Sequence, residues 1–204
     1  MIALYIESSG VDMARCGIWQ IGAIEIGNPK NQFIQEARID DEDEIYDSPS
    51  AKKTVFEVTG KDEKYFRDKK KQSQKQLLKN FFAWCSKIRP DTLVSHHPQF
   101  DFAFIELKAI KYGLELPFSY RAFDLHTIAQ IKYFEKNGNF LLEDGKSKMG
   151  LSRMFEMCGM KDERGTSHNA LQDAKLAAEC FSRLVYGKNL LSEFAKFPVP
   201  GVCK

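Results

Sequence analysis

Three short stretches of this chain place polar, chemistry-bearing side chains at the edges of apolar segments. They are Tyr5-Ile6-Glu7-Ser8-Ser9-Gly10, His96-His97-Pro98-Gln99-Phe100-Asp101 and His168-Asn169-Ala170-Leu171-Gln172-Asp173. In the last, apolar residues recur at helical spacing from Ala170 (Leu171, Ala174, Ala177, Ala178, Phe181, Leu184, Val185), which puts Asp173 in the first turns of an amphipathic helix. Helical steps of about 100° would turn His168 away from Asp173, so the two meet only if His168 lies on a loop ahead of the helix. Asn169, with Gln172 three residues on, is a capping pair that would start the helix there. A histidine on a loop beside a helical carboxylate suits metal-assisted hydrolysis.

The elements that must position these groups follow from patterning. Ile2-Ala3-Leu4-Tyr5-Ile6 is a continuous apolar run, as expected of a central strand covered on both faces. Strands over 18–26 and 32–39 complete a meander around the Gly27-Asn28-Pro29 turn. The spacing predicts a short helix closed by Gly60, a helix over 74–89 stopped by Pro90, and a buried strand at Thr92-Leu93-Val94-Ser95. Pro98 suits the first position of a helix with Gly113 just past its end, its apolar face being Phe100, Phe104, Leu107 and Ile110 and Asp101 lying off that stripe. A strand at 121–123 leads to Asp124 as the cap of a helix through Tyr133. Residues 137–148 read as a polar loop, 151–158 as a short helix, and the tail after Tyr186 as a short helix and a frayed end. The order implies one mixed α/β domain.

Composition excludes several classes. At 204 residues the chain can bury one sizeable core. Its apolar runs are too short to span a bilayer and no leader is visible, so the expectation is a cytoplasmic protein without a membrane partner. Five cysteines without a Cys-x-x-Cys pair indicate reduced, buried thiols rather than disulfides or a zinc knuckle. A net charge of +2 announces no nucleic-acid partner by itself. The acidic run Asp40-Asp41-Glu42-Asp43-Glu44 and the lysines between Lys61 and Lys75 read as solvated surfaces.

Taken in order, the three stretches resemble the motifs of the DEDDh family of 3′–5′ exonucleases, to which RNase T, oligoribonuclease and polymerase proofreading subunits belong. That family reads Asp-x-Glu-Thr-x-Gly, then His-Asn-x-x-Phe-Asp, then His-x-Ala-x-x-Asp-Ala. Gln20-Ile21-Gly22-Ala23 and Asp124-Leu125-His126-Thr127 support the match, which covers roughly residues 1–186; residues 187–204 form a C-terminal tail, part of the same domain or frayed. The resemblance implies an RNase H-like α/β fold, a mixed five-stranded sheet flanked by helices on both faces. It implies metal-dependent release of nucleotides from single-stranded DNA or RNA 3′ ends, and a homodimer is common among relatives. Two divalent cations, Mg²⁺ or Mn²⁺, would clamp the attacking and leaving oxygens, and these hard ions want carboxylates. Glu7, Asp101 and Asp173 are then metal ligands. His168, neutral near pH 7, takes the proton from water. Ser8, Ser9 and His97 would contact substrate, with His97 standing in for the family's asparagine as a helix cap.

The first aspartate of the pattern is missing. Tyr5 stands where the carboxylate that bridges both metals belongs, on the same strand face as Glu7. A neutral phenol with a pKa of about 10 cannot replace it. Either the chain is a naturally degenerate member or the position has been altered. The alternative function is a catalytically inactive relative that binds nucleic-acid ends or a protein partner.

Overall fold

The N-terminal apolar run forms β1 (Ile2–Ser8), the middle strand of a five-stranded sheet in the order β3-β2-β1-β4-β5. The computed structural model describes residues 1–45, 54–88, 92–161 and 169–203. β1, β2 (Ile18–Glu25) and β3 (Gln32–Glu36) make an antiparallel meander; β4 (Leu93–Ser95) and β5 (Ala122–Asp124) add in parallel on the other side. This is the mixed five-stranded α/β architecture expected from the motifs.

Both faces of the sheet are covered, which is why β1 is apolar at successive positions rather than alternate ones. Ile2, Leu4 and Ile6 pack toward α3 (Gln74–Ile88) and α4 (Pro98–Tyr112). Ala3 and Tyr5 face the opposite layer, built by α5 (Leu125–Asn137), α6 (Leu151–Met157) and α7 (Ala170–Tyr186). A third cluster, around Trp19, Ile39, Val55 and Phe66, lies under the short helices α1 (Val55–Thr59) and α2 (Glu63–Phe66). Thr54 and Glu57 cap α1 reciprocally, and Gly60 ends it in the left-handed region. All five cysteines are buried and none forms a disulfide.

Several local expectations differ from the structure. Leu107 and Ile110 are exposed; α4 instead buries Ile105, Lys108 and Ala109 beside Phe104. The cause is an ion pair: Lys108 Nζ lies 2.6 Å from the buried Asp43 carboxylate, which Lys111 and Gln74 also reach. The acidic run is thus not wholly solvated, because its Asp43 is an internal anchor. The expected polar loop at 137–148 contains a hairpin, β6 (Leu142–Glu143) and β7 (Lys146–Ser147), turned by Asp144-Gly145 with both φ positive.

The segment after α7 is tied down. Arg183, fully buried, pairs with Glu179 at 2.8 Å and donates to the carbonyls of Cys158, Phe194 and Phe197. The other Glu179 oxygen accepts the Leu190 and Leu191 amides. Of the tail expected as a short helix and a frayed end, or as part of the same domain, the described residues form two 3₁₀ turns, Ser192–Phe194 and Gly201–Cys203, with Leu191, Phe194, Phe197 and Cys203 packed against the α7 layer.

Candidate active site

Tyr5, Asp101 and Asp173 converge from β1, the first turn of α4 and the first turn of α7. Each is brought there by a distinct device. β1 presents Tyr5 and Glu7 on the face that looks toward α7. α4 opens at Pro98 directly after β4, so Asp101 lies beside the neighbouring strand: its Oδ1 accepts the Ile6 amide at 2.9 Å and its Oδ2 the Ser95 hydroxyl at 3.0 Å. Asp101 is therefore buried rather than merely off the core stripe.

α7 is docked by Gln20 and Gly22 of β2. The Gln20 side-chain oxygen accepts the Ala170 amide at 2.8 Å. Gly22, paired with Tyr5 across the sheet, leaves room for the helix start. Asn169 caps the helix by accepting the Leu171 and Gln172 amides, as its sequence position predicts. Asp173 ends buried one turn in, close enough to raise the pKa values of both Tyr5 and Asp101.

The electrostatics are those of crowded acids in a dry place. Burial, more than the neighbouring Asp173, pushes the Asp101 carboxyl up to about 7, against the lowering effect of its hydrogen bonds. Burial first, then Asp101 and Asp173, drive the Tyr5 phenol well above its ordinary value, so it is neutral near pH 7. Its oxygen accepts the His96 amide at 3.3 Å. Glu7 is partly exposed, and its negative charge reaches Lys61, whose ammonium lies 4.0 Å from the Trp19 ring centre and 4.4 Å from that of Tyr65.

The remaining expected site residues divide. Ser8 is partly exposed at the β1 end and donates to the Gly10 carbonyl. Ser9 is fully buried, its hydroxyl donating to the Glu44 carbonyl and accepting the Gly17 amide, which ties it into the loop. His97 is the N-cap residue of α4 but makes no side-chain cap bond; it is exposed and held at φ 60°. His168 lies outside the described residues.

Oxygen donors of this kind suit Mg²⁺ or Mn²⁺. Among the described residues the ligand atoms of Glu7, Asp101 and Asp173 do not all lie within 4.8 Å of one another, and Tyr5 stands beside Asp101 and Asp173 as a neutral phenol. Among the described residues a closely spaced set lies beside the cleft and was missed from the sequence: His97, Asp124 and His126. The parallel pairing of β4 with β5, which sets Ser95 against Asp124, brings these residues together, and no spacing rule announces it.

Comparison with solved structures supports the architecture. The chain is similar to E. coli exonuclease I in complex with a dT13 oligonucleotide, at TM-score 0.64 and 15% identity over 87% of this chain and 39% of that one. It is also similar to the Neurospora crassa Pan2 catalytic unit of protease and nuclease domains, at TM-score 0.53 and 12% identity over 88% of this chain and 26% of that one. It thus spans well under half the length of either. No curated protein matches. Residues 2–185 match the family described as the 3'-5' exoribonuclease Rv2179c-like domain, and the chain belongs to that family.

Proposed function

We propose that this protein is a 3′–5′ exonuclease acting on single-stranded 3′ ends, RNA first among them, whose cleavage step is slowed by Tyr5. The observation that carries the proposal is the convergence of Asp101 and Asp173 on Tyr5, at the junction of the two strands and two helices where the motifs place the chemistry. A divalent cation, when bound, would supply positive charge to the phosphoryl and leaving-group oxygens. Glu7 and Asp173 are the residues to hold it, with Asp101 behind them. The protein's own contributions are separable from it. Asp101 fixes the end of β1 to α4 through the Ile6 amide. Asp173 supplies negative charge at the first turn of α7, and Tyr5 places an uncharged oxygen where a carboxylate would strengthen the site. His168 is assigned as the general base from its motif alone.

The second reading, a nucleic-acid end-binding module without cleavage, is favoured by one observation, the neutral phenol of Tyr5 among the acids. One experiment separates the two. RNA and DNA oligonucleotides labelled at the 5′ end are incubated with the protein in Mn²⁺, in Mg²⁺ and in chelator, beside Asp173→Asn. Slow, Mn²⁺-favoured shortening from the 3′ end that disappears in Asp173→Asn and in chelator is expected. Binding with no shortening in any condition would establish the module instead.

A further inference from the structure

Three of the four histidines of the chain gather at the C-terminal ends of β4 and β5. The ring centres of His97 and His126 are 4.7 Å apart with the planes inclined by 28°, and His96 stands edge-on to both. Asp124 lies among them: its Oδ1 accepts the backbone amides of His97 and His126, at 3.1 and 3.0 Å, and its Oδ2 accepts the Thr127 hydroxyl at 2.7 Å. Potential ligand atoms of His97, Asp124 and His126 all fall within 4.8 Å of one another.

Two imidazoles and one carboxylate are a ligand set for a borderline metal, in contrast to the all-oxygen set of the cleft. We propose that His97, Asp124 and His126 bind a transition-metal dication of the Zn²⁺ class, at a site that shares no ligand with the carboxylate cleft.

Three features favour a built site over a chance cluster. The His126 ring is oriented from behind, its Nε2 lying 2.7 Å from Ser147 Oγ, itself held by Gln130. His97 occupies the left-handed region at φ 60°, which costs a non-glycine residue about 1–3 kcal/mol. That conformation is kept although the side chain gives no cap bond in return, and it sets the ring against His126. Finally, His97 is exposed while Asp124 and His126 are partly buried, so one side of the site is open to a water or a substrate oxygen. Since His97 begins the helix that carries Asp101, an ion here would brace that helix start.

The test uses the full chain, stripped with chelator and returned to millimolar Mg²⁺. Co²⁺ is titrated as a spectroscopic probe and Zn²⁺ by calorimetry, for the protein and for Glu7→Gln, His97→Asn and His126→Gln. One equivalent of Co²⁺ with the visible bands of a histidine-ligated ion is expected, unchanged in Glu7→Gln. Each histidine variant should bind roughly 100-fold more weakly or worse, since even loss of a supporting group costs about 10–100-fold. If His126→Gln does not fold, His97→Asn decides alone, because asparagine tolerates the left-handed region. Absence of binding, retention in the histidine variants, or loss in Glu7→Gln would overturn the proposal.

Discussion

The backbone of Ala170 lies so close to Gly22 that a Cβ on residue 22 would stand 2.1 Å from the Ala170 carbonyl carbon. Gly22 is thus what lets the start of α7 rest directly on β2, opposite Tyr5, and so what sets the depth of Asp173. Gly22→Ala must push the helix outward, because the clashing atoms are backbone. We expect a loss of about 3 kcal/mol or more in urea unfolding. Gly27→Ala, whose nearest neighbour would be Glu25 at 4.0 Å, should stay within about 0.5 kcal/mol of the parent. Equal stability of the two variants would show that α7 is not seated by this contact.

How much of this was readable in the sequence depended on whether a signal is local. Ile2 to Ile6, Pro98, Asp124 and Asn169 each act through their own stretch, and β1, α4, α5 and α7 begin where those residues predict. The misassigned face of α4 has a tertiary cause, since periodicity treats Lys108 as solvent-facing and the buried Asp43 reverses it. The β6–β7 hairpin was available, because Asp144-Gly145 is a strong turn signal, but strands of two residues give no alternation to notice. Ser9 was expected at the cleft from its motif position, whereas its hydroxyl is taken by a loop bond to Glu44 that sequence does not show.

Asp101 should make the metal-free protein less stable as pH rises. Its carboxyl is raised to about 7, against an ordinary value near 4, so between these values the folded protein holds a proton that the unfolded chain has released. Stability then falls with increasing pH across that window and the cost is complete above it, of the order of a few kcal/mol. Asp101→Asn mimics the protonated form, with an oxygen for the Ile6 amide and an NH₂ for Ser95. In chelator, the stability of the parent relative to Asp101→Asn should drop between about pH 4 and pH 7 and be flat on either side. A difference that rises with pH would mean that Asp101 is ionised throughout.

The pair Glu179–Arg183 should behave as an anchor for the last residues rather than as part of the cleft. Both side chains are fully buried. Glu179→Ala leaves a buried guanidinium and the Leu190 and Leu191 amides without their acceptor, and about 3–5 kcal/mol should be lost. Limited proteolysis should cut the variant first after Tyr186. A loss below about 1 kcal/mol would place the anchoring elsewhere, in the apolar contacts of Leu191 and Cys203.

Tyr5→Asp is the substitution on which the catalytic reading turns. It trades a ring packed against the α7 layer for a third acid beside Asp101 and Asp173. Without metal the variant should therefore be less stable than the parent, through lost burial and added repulsion. With Mn²⁺ the order of effects reverses: a new oxygen donor joins Glu7 and Asp173, and ligand binding to the folded state alone raises its stability. The melting temperature of Tyr5→Asp should climb with Mn²⁺ far more than that of the parent, and 3′-directed cleavage should rise by roughly 100-fold, at or beyond the upper end of the effect of a group that only supports a metal ligand. That gain should vanish in Tyr5→Asp with Asp173→Asn, and in Tyr5→Asp with His168→Ala. Tyr5→Phe controls for the hydroxyl: it removes the acceptor of the His96 amide, should cost about 1 kcal/mol, and should leave activity where the parent has it. If Mn²⁺ stabilises Tyr5→Asp while cleavage does not increase, the ion is held without a working base. If neither changes, position 5 is not where this chain would hold its metal.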